Sequence, residues 1–130
     1  MSDNKQILKD AFAGLAAGKR RALLDILAED VEWKVMGTTK LSKTYRGKQA
    51  LIDEVFAPMA AALAEQVALT PERYLGEGDC VVVEASGRAL TKSGVRYDNR
   101  YCWIYRFRDG KVVAVTEYLD TELVTAAFGR

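Results

Sequence analysis

Between Tyr97 and Lys111 the chain alternates with period two, and no other segment restricts the fold as strongly. Tyr97, Asn99, Tyr101, Trp103, Tyr105 and Phe107 interleave with mostly polar or charged residues. Successive side chains on a strand point to opposite faces. A strand here therefore gathers five aromatic rings and one amide on a single face. That is more aromatic surface than a small core requires, and it suits the wall of an apolar pocket.

The rest of the chain sets what surrounds that strand. Ser2 and Asp3 can cap a first helix, with Gln6 as the capping-box partner of Asp3. Ile7, Leu8, Phe12 and Leu15 give that helix an apolar face, and Gly18 breaks it. Leu23, Leu24, Ile26 and Leu27 predict a second helix over 19–28, and a short strand follows over 31–36. A polar loop leads to Gly47 and a third helix over 48–64, which Pro58 should kink near Phe56. Strands are expected at about 67–75, 80–91, 95–108 and 111–119, and a short helix at about 121–128. Gly76-Glu77-Gly78-Asp79, Ser93-Gly94 and Asp109-Gly110 supply the turns between the strands.

Helices first and long antiparallel strands afterwards predict one α+β domain over 1–130. In this reading three N-terminal helices cover a strongly curved antiparallel sheet and close it into a cone with a central cavity.

Composition narrows the function. Lys+Arg is 19 and Asp+Glu is 18, a net charge of +1, which offers nothing to nucleic acid or an anionic membrane. The cluster Lys19-Arg20-Arg21 reads as a solvated helix end. There is no histidine, which excludes a Ser-His-Asp triad, a Cys-His pair and any histidine metal site. Acid–base work falls to Asp, Glu, Tyr, Lys or Cys. Cys80 and Cys102 sit inside apolar strand patterns and read as free buried thiols. No signal-peptide pattern or membrane-length apolar run is visible, so a cytoplasmic protein is expected.

Register decides which polar groups share the pocket. If Ser93-Gly94 is a two-residue loop, Glu84 lies opposite Trp103, Ser86 opposite Tyr101 and Arg88 opposite Asn99, all on the aromatic face. A three-residue loop puts Cys102 opposite Glu84 instead. The first arrangement is preferred because it gathers polar groups with Asn99. In the next hairpin, a three-residue bulged turn pairs Glu117 with Tyr101 and points it inward, whereas a two-residue turn sends it outward.

Glu32-Trp33, Gly37-Thr38, Tyr45-Arg46-Gly47-Lys48, Tyr101-Cys102-Trp103, Phe107, Asp109-Gly110-Lys111-Val112 and Glu117-Tyr118-Leu119-Asp120 together carry a resemblance. Over almost its whole length the chain resembles SnoaL-like, ketosteroid-isomerase-related proteins of the nuclear transport factor 2-like superfamily. The resemblance implies a cone-shaped α+β barrel, a closed pocket and a homodimer through the outer sheet face. It also implies that Glu117 occupies the position where polyketide cyclases of this group and limonene epoxide hydrolase carry a catalytic aspartate. Two other chemistries of the superfamily do not transfer. The steroid-isomerase acids fall near Trp33-Lys34 and at Trp103. The Arg-Asp-Asp set of limonene epoxide hydrolase reads Glu84, Ser86 and Glu117.

Glu117 is the first candidate for a general acid or base, because apolar neighbours would desolvate it and raise its pKa. Glu84 is the second carboxylate, with Arg88 as its alternative salt-bridge partner. Tyr101, Tyr97 and Asn99 can hydrogen-bond a carbonyl oxygen, and Trp33, Phe56 and Trp103 shape apolar walls. Lys34 is expected outside, on the opposite parity to Trp33. The functional readings are a cofactor-independent isomerase, cyclase or lyase acting by proton transfer on a small apolar carbonyl compound, a non-catalytic binder of a small hydrophobic ligand, or a dimeric scaffold.

Overall fold

The computed structural model describes residues 3–130. Helix α1 spans Asn4–Ala16, and Asp3 caps it by accepting the Gln6 N–H at 3.1 Å. Ser2, the other expected cap, lies outside the described residues. The Gln6 side chain donates forward to Asp10 at 2.8 Å. Leu8, Ala11 and Phe12 form the buried face of α1.

The second expected helix does not form. Residues after Gly18 make turns and a single 3-10 turn, Leu24–Ile26, and strand β1 begins at once over Leu27–Val35. Leu27, Val31, Trp33 and Val35 are buried there. The cluster Leu23-Leu24-Ile26-Leu27 satisfies helical spacing, but pairing of Leu27 with Val112 draws the segment into the sheet. Strand β2 (Thr44–Arg46) pairs antiparallel with β1.

The third helix is interrupted as Pro58 requires. It runs as α2 (Lys48–Leu51), a π-turn over Ile52–Phe56, and α3 (Ala57–Ala62) with Pro58 in its first turn. Proline has no N–H to give to the carbonyl four residues back, and the helix widens ahead of it, with Ala57 N–H reaching Ile52 O. Strands β3 (Ala68–Glu77), β4 (Cys80–Arg88), β5 (Arg100–Arg108) and β6 (Lys111–Leu119) follow, then α4 (Thr121–Phe128).

The sheet order is β2-β1-β6-β5-β4-β3. This corrects the expected cone. The sheet is open, with β2 and β3 as its two edges, and it is mixed, because β1 runs parallel to β6. Three residues of β2 offer too short a partner to close on β3, and α1 packs against β3 and β4. Pro71 sits in β3, which as an edge strand tolerates a missing N–H.

The core lies between the sheet's inner face and the helices. The alternation of β5 holds throughout: Tyr101, Trp103, Tyr105 and Phe107 are buried and Arg100, Arg106 and Arg108 are exposed. Fully burying an aromatic side chain of this kind contributes about 1.5–3 kcal/mol. A second, smaller cluster joins Leu63, Ala89, Tyr97 and Val124 beneath α4. No helix among the described residues is long and apolar enough to cross a membrane.

Candidate functional site

Two local irregularities set the register of the site. The β5–β6 hairpin turns through Asp109-Gly110, with φ of 52° and 78°, and pairs Arg108 with Lys111. That is a two-residue turn of the kind Asp-Gly favours, where a three-residue turn was expected. Alone it would send Glu117 outward. A bulge between Phe107–Val112 and Arg106–Ala114 spends one extra residue, Val113, and reverses the parity. Glu117 therefore faces inward, opposite Trp103 where Tyr101 was expected, and Tyr101 pairs with Leu119.

Glu117 lies between Val35 on β1 and Trp103 on β5. Trp33 Nε1 donates to its Oε1 at 2.9 Å. The residue is half-buried, and burial of its carboxyl raises its pKa above the ordinary value. The indole N–H groups of Trp33 and, more weakly, Trp103 oppose that rise by favouring the anion. No lysine or arginine figures among these influences. A carboxyl held this way can take up or release a proton closer to neutrality than a solvated glutamate.

The Trp103 N–H lies near that carboxyl but makes no hydrogen bond with it of proper geometry. It and the Tyr105 hydroxyl are buried polar atoms with no partner among the described residues. Leaving such a donor unpaired costs about 1–3 kcal/mol. Burial also pushes the Tyr105 pKa well up, so its hydroxyl keeps its proton. The sequence puts both residues on the aromatic face, Trp103 as an apolar wall and Tyr105 with no role of its own. The alternation already put Tyr105 on the inner face, but burial without a partner is visible only in three dimensions.

The aromatic residues form one connected wall. Tyr101 stacks on Trp103 at 4.7 Å, and Phe12 stacks on the same indole at 5.6 Å. Trp33 meets Phe56 edge-on at 5.9 Å and Tyr105 at 6.3 Å. Gly87 lets the Tyr101 ring sit close, since a Cβ there would approach Tyr101 Cε2 to 3.0 Å.

Other expected site residues are placed elsewhere. Glu84 is opposite Cys102, on the outer face, and pairs with Arg73 at 2.8 Å. The preferred inward register fails because the loop holds three residues, Lys92-Ser93-Gly94, closed by Thr91 N–H to Val95 O at 2.9 Å with Gly94 at φ +92°. Ser86 is opposite Arg100, and Arg88 is exposed. Asn99 is inward and fully buried, but its amide is already engaged. Nδ2 donates to Tyr97 Oη at 3.2 Å and Asp120 O at 3.1 Å, and Oδ1 accepts from Arg100 N at 2.7 Å and Asp120 N at 2.9 Å. Tyr97 packs on Phe128 at 4.8 Å, beneath α4. Lys34 is exposed, as Trp33 on the opposite parity requires. Cys80 and Cys102 are free and half-buried.

A mostly apolar cleft of about 410 Å³ opens beside this wall, lined by Leu23, Leu24, Phe56, Met59 and Leu63 and also by Arg20, Glu65 and Gln66. Glu117 does not line it. Phe56 links the two, touching the cleft on one side and Trp33 on the other. No group of three or more His, Cys, Asp or Glu residues among those described is placed to hold a metal ion.

Residues 8–115 match the SnoaL-like domain family. The chain belongs to that family. Several solved structures share the fold of this SnoaL-like chain. An NTF2-like protein of unknown function from Burkholderia pseudomallei has 22% identity and a TM-score of 0.84, covering 100% of both chains. TerC, co-crystallised with polyporic acid, has 25% identity and a TM-score of 0.79, over 97% of this chain and 98% of its own. A putative SnoaL-like polyketide cyclase from Jannaschia has 17% identity and a TM-score of 0.75, over 97% and 91%. Among curated proteins, none matches this sequence.

Proposed function

We propose that this SnoaL-like chain binds a small apolar carbonyl compound and moves a proton on it with Glu117 as general acid and base, without a cofactor. The observation that carries the reading is the setting of that carboxyl: desolvated, steered by Trp33 and walled by stacked aromatics. Isomerase, cyclase and lyase chemistry by proton transfer can each use such a group. The small organic ligand of TerC supports a small-molecule site on this fold. Tyr101, whose hydroxyl burial keeps protonated, borders the same wall.

The test is exchange of carbon-bound α-protons in cyclic ketones such as 2-tetralone in D2O, followed by proton NMR. Wild-type protein should accelerate exchange, and Glu117→Gln should lose about a hundredfold or more of that acceleration. Equal acceleration by the variant overturns the assignment. A second reading, a non-catalytic binder, is favoured by one observation: the apolar cleft does not include Glu117.

The outer sheet face supports a homodimer in this reading. Leu75 and Tyr118 are exposed at 50% and 44%, beside half-buried Val82, Cys102 and Ile104. Charged pairs Arg73–Glu84 and Arg100–Glu72 border the strip, an apolar centre with a polar rim. Free thiols at Cys80 and Cys102 suit a reducing compartment such as the cytoplasm.

A further inference from the structure

We propose that the cleft between the end of α1, the turn after it and α3 takes a monocarboxylic acid with one apolar body. Arg20 holds the carboxylate, and the body lies against Leu23, Leu24, Phe56 and Met59. The inference rests on the second reading above, that the cleft binds a small hydrophobic ligand, and adds the head group; it does not involve Glu117.

Large apolar side chains converge on this cleft without closing it. Leu15, Leu23, Leu24, Phe56, Met59 and Val67 line it, and each is only half-buried. Its volume of about 410 Å³ is that of a small-molecule site, commonly about 300–1,000 Å³. Both rims are fixed by backbone bonds. On one side Lys19 N–H donates to Gly14 O at 2.9 Å and Ala22 N–H to Lys19 O at 3.1 Å. A Cβ at Gly14 would meet Ala22 Cβ at 2.8 Å, so the turn that carries Arg20 lies tight on α1. On the other side Ala64 N–H donates to Leu90 O at 2.8 Å and Lys92 N–H to Ala62 O at 2.9 Å. These bonds tie the strip carrying Glu65 and Gln66 to the segment between β4 and β5.

The charges on the rims select the occupant. Arg20 and Glu65 both line the cleft, and neither has an ion-pair partner among the described residues. Arg21 is paired with Asp25 at 3.8 Å, whereas Lys19, next to Arg20, is unpaired among the described residues. The rims therefore carry two uncompensated cations, Lys19 and Arg20, against one uncompensated anion, Glu65. A single anionic head group offsets that excess. A cationic head adds to it, and a second carboxylate on the ligand would meet Glu65. Arginine presents a planar fork of N–H donors that matches a carboxylate, and the Gln66 amide on the other rim adds a neutral donor. The apolar walls accept a hydrocarbon or aryl body. The ligand class is an amphipathic monocarboxylate.

The test uses the whole chain and three probes with one hydrocarbon chain and different heads: decanoate, 1-decanol and decylammonium, at neutral pH and below their micelle concentrations. Calorimetric titration should show decanoate binding wild type more tightly than either other probe. Arg20→Gln should weaken decanoate about tenfold, the worth of one charge-assisted hydrogen bond, and leave decanol unchanged. Glu65→Gln should tighten decanoate and leave decanol unchanged. Both residues are exposed, so neither substitution removes a buried contact. Decanol binding as tightly as decanoate, or Arg20→Gln weakening both equally, would overturn the head-group assignment while leaving the cleft a binding site. Tightest binding of decylammonium would reverse the charge selection and overturn the proposal. No binding of any probe by wild type would remove the binding reading together with the proposal. A further variant locates the site. Met59→Glu, with its circular dichroism retained, puts a charge on the cleft wall and should weaken decanoate and decanol alike. Unchanged binding of both would place them outside the cleft and overturn the assignment.

Discussion

Trp33 on β1 donates its indole N–H to Glu117 on β6 at 2.9 Å, joining residues 84 apart in sequence. The contact exists because β1 and β6 run parallel and in register, Trp33 beside Val115 and Val35 beside Glu117. The one parallel pair of the described sheet, next to its β2 edge, thus orients the candidate acid, while the antiparallel hairpins supply its aromatic surroundings.

Replacing that donor should change the acid. In Trp33→Phe the anion of Glu117 loses its hydrogen bond, so the pKa of Glu117 rises further. Stability at neutral pH should fall by about 1–3 kcal/mol. Emission of the remaining tryptophan, Trp103, followed against pH reports the first effect and urea unfolding the second. An unchanged or lower midpoint would contradict the account.

Glu117 also makes stability depend on pH. Its folded pKa is raised above the ordinary carboxyl value. Its proton therefore favours the fold fully below the unfolded pKa, and that contribution is lost as pH rises through the folded pKa. Glu117→Gln does not titrate and keeps an oxygen for Trp33. Urea unfolding from pH 4 to 8 should show the variant gaining on wild type as pH rises. A constant difference across that range would contradict the raised pKa.

Asn99 is predicted to serve the fold. Its four hydrogen bonds tie the start of β5 to Asp120, the cap of α4. Asn99→Ala leaves the N–H groups of Arg100 and Asp120 without that acceptor and should cost about 2–4 kcal/mol in urea unfolding. A loss under about 0.5 kcal/mol, the usual size of a surface change, would return Asn99 to the list of ligand contacts.

The proposed dimer is tested on the outer face. Ile104→Glu places a charge in the middle of the apolar strip and should convert a dimer to a monomer in sedimentation, with the circular dichroism of the sheet retained. A wild-type monomer at tens of micromolar, or an undisturbed dimer in the variant, would contradict it.

The face of β5 was legible in the sequence because burial on a strand has period two, and Tyr101 to Phe107 obey it without exception. Pro58 was equally legible, since a missing N–H disturbs any helix. Register was not. Gly94 closes a three-residue loop, and one residue is enough to turn Glu84 from the aromatic face to the ion pair with Arg73. At the next hairpin two errors cancelled: a shorter turn and the bulge at Val113 returned Glu117 to the inward parity. The segment 19–28 fits helix and strand patterns alike locally, and only pairing with β6 decides it. Whether a sheet closes depends on its edge strands, and the brevity of β2 gives no strong local signal.

The most direct test of the account is the pH titration of tryptophan emission in wild type and in Glu117→Gln. Trp33 and Trp103 are the chain's two tryptophans, both beside Glu117, and no histidine titrates in the window. The account predicts a transition with its midpoint above 4.5, the ordinary carboxyl value, that disappears in the variant. A midpoint at or below that value, or a transition that survives Glu117→Gln, would contradict it.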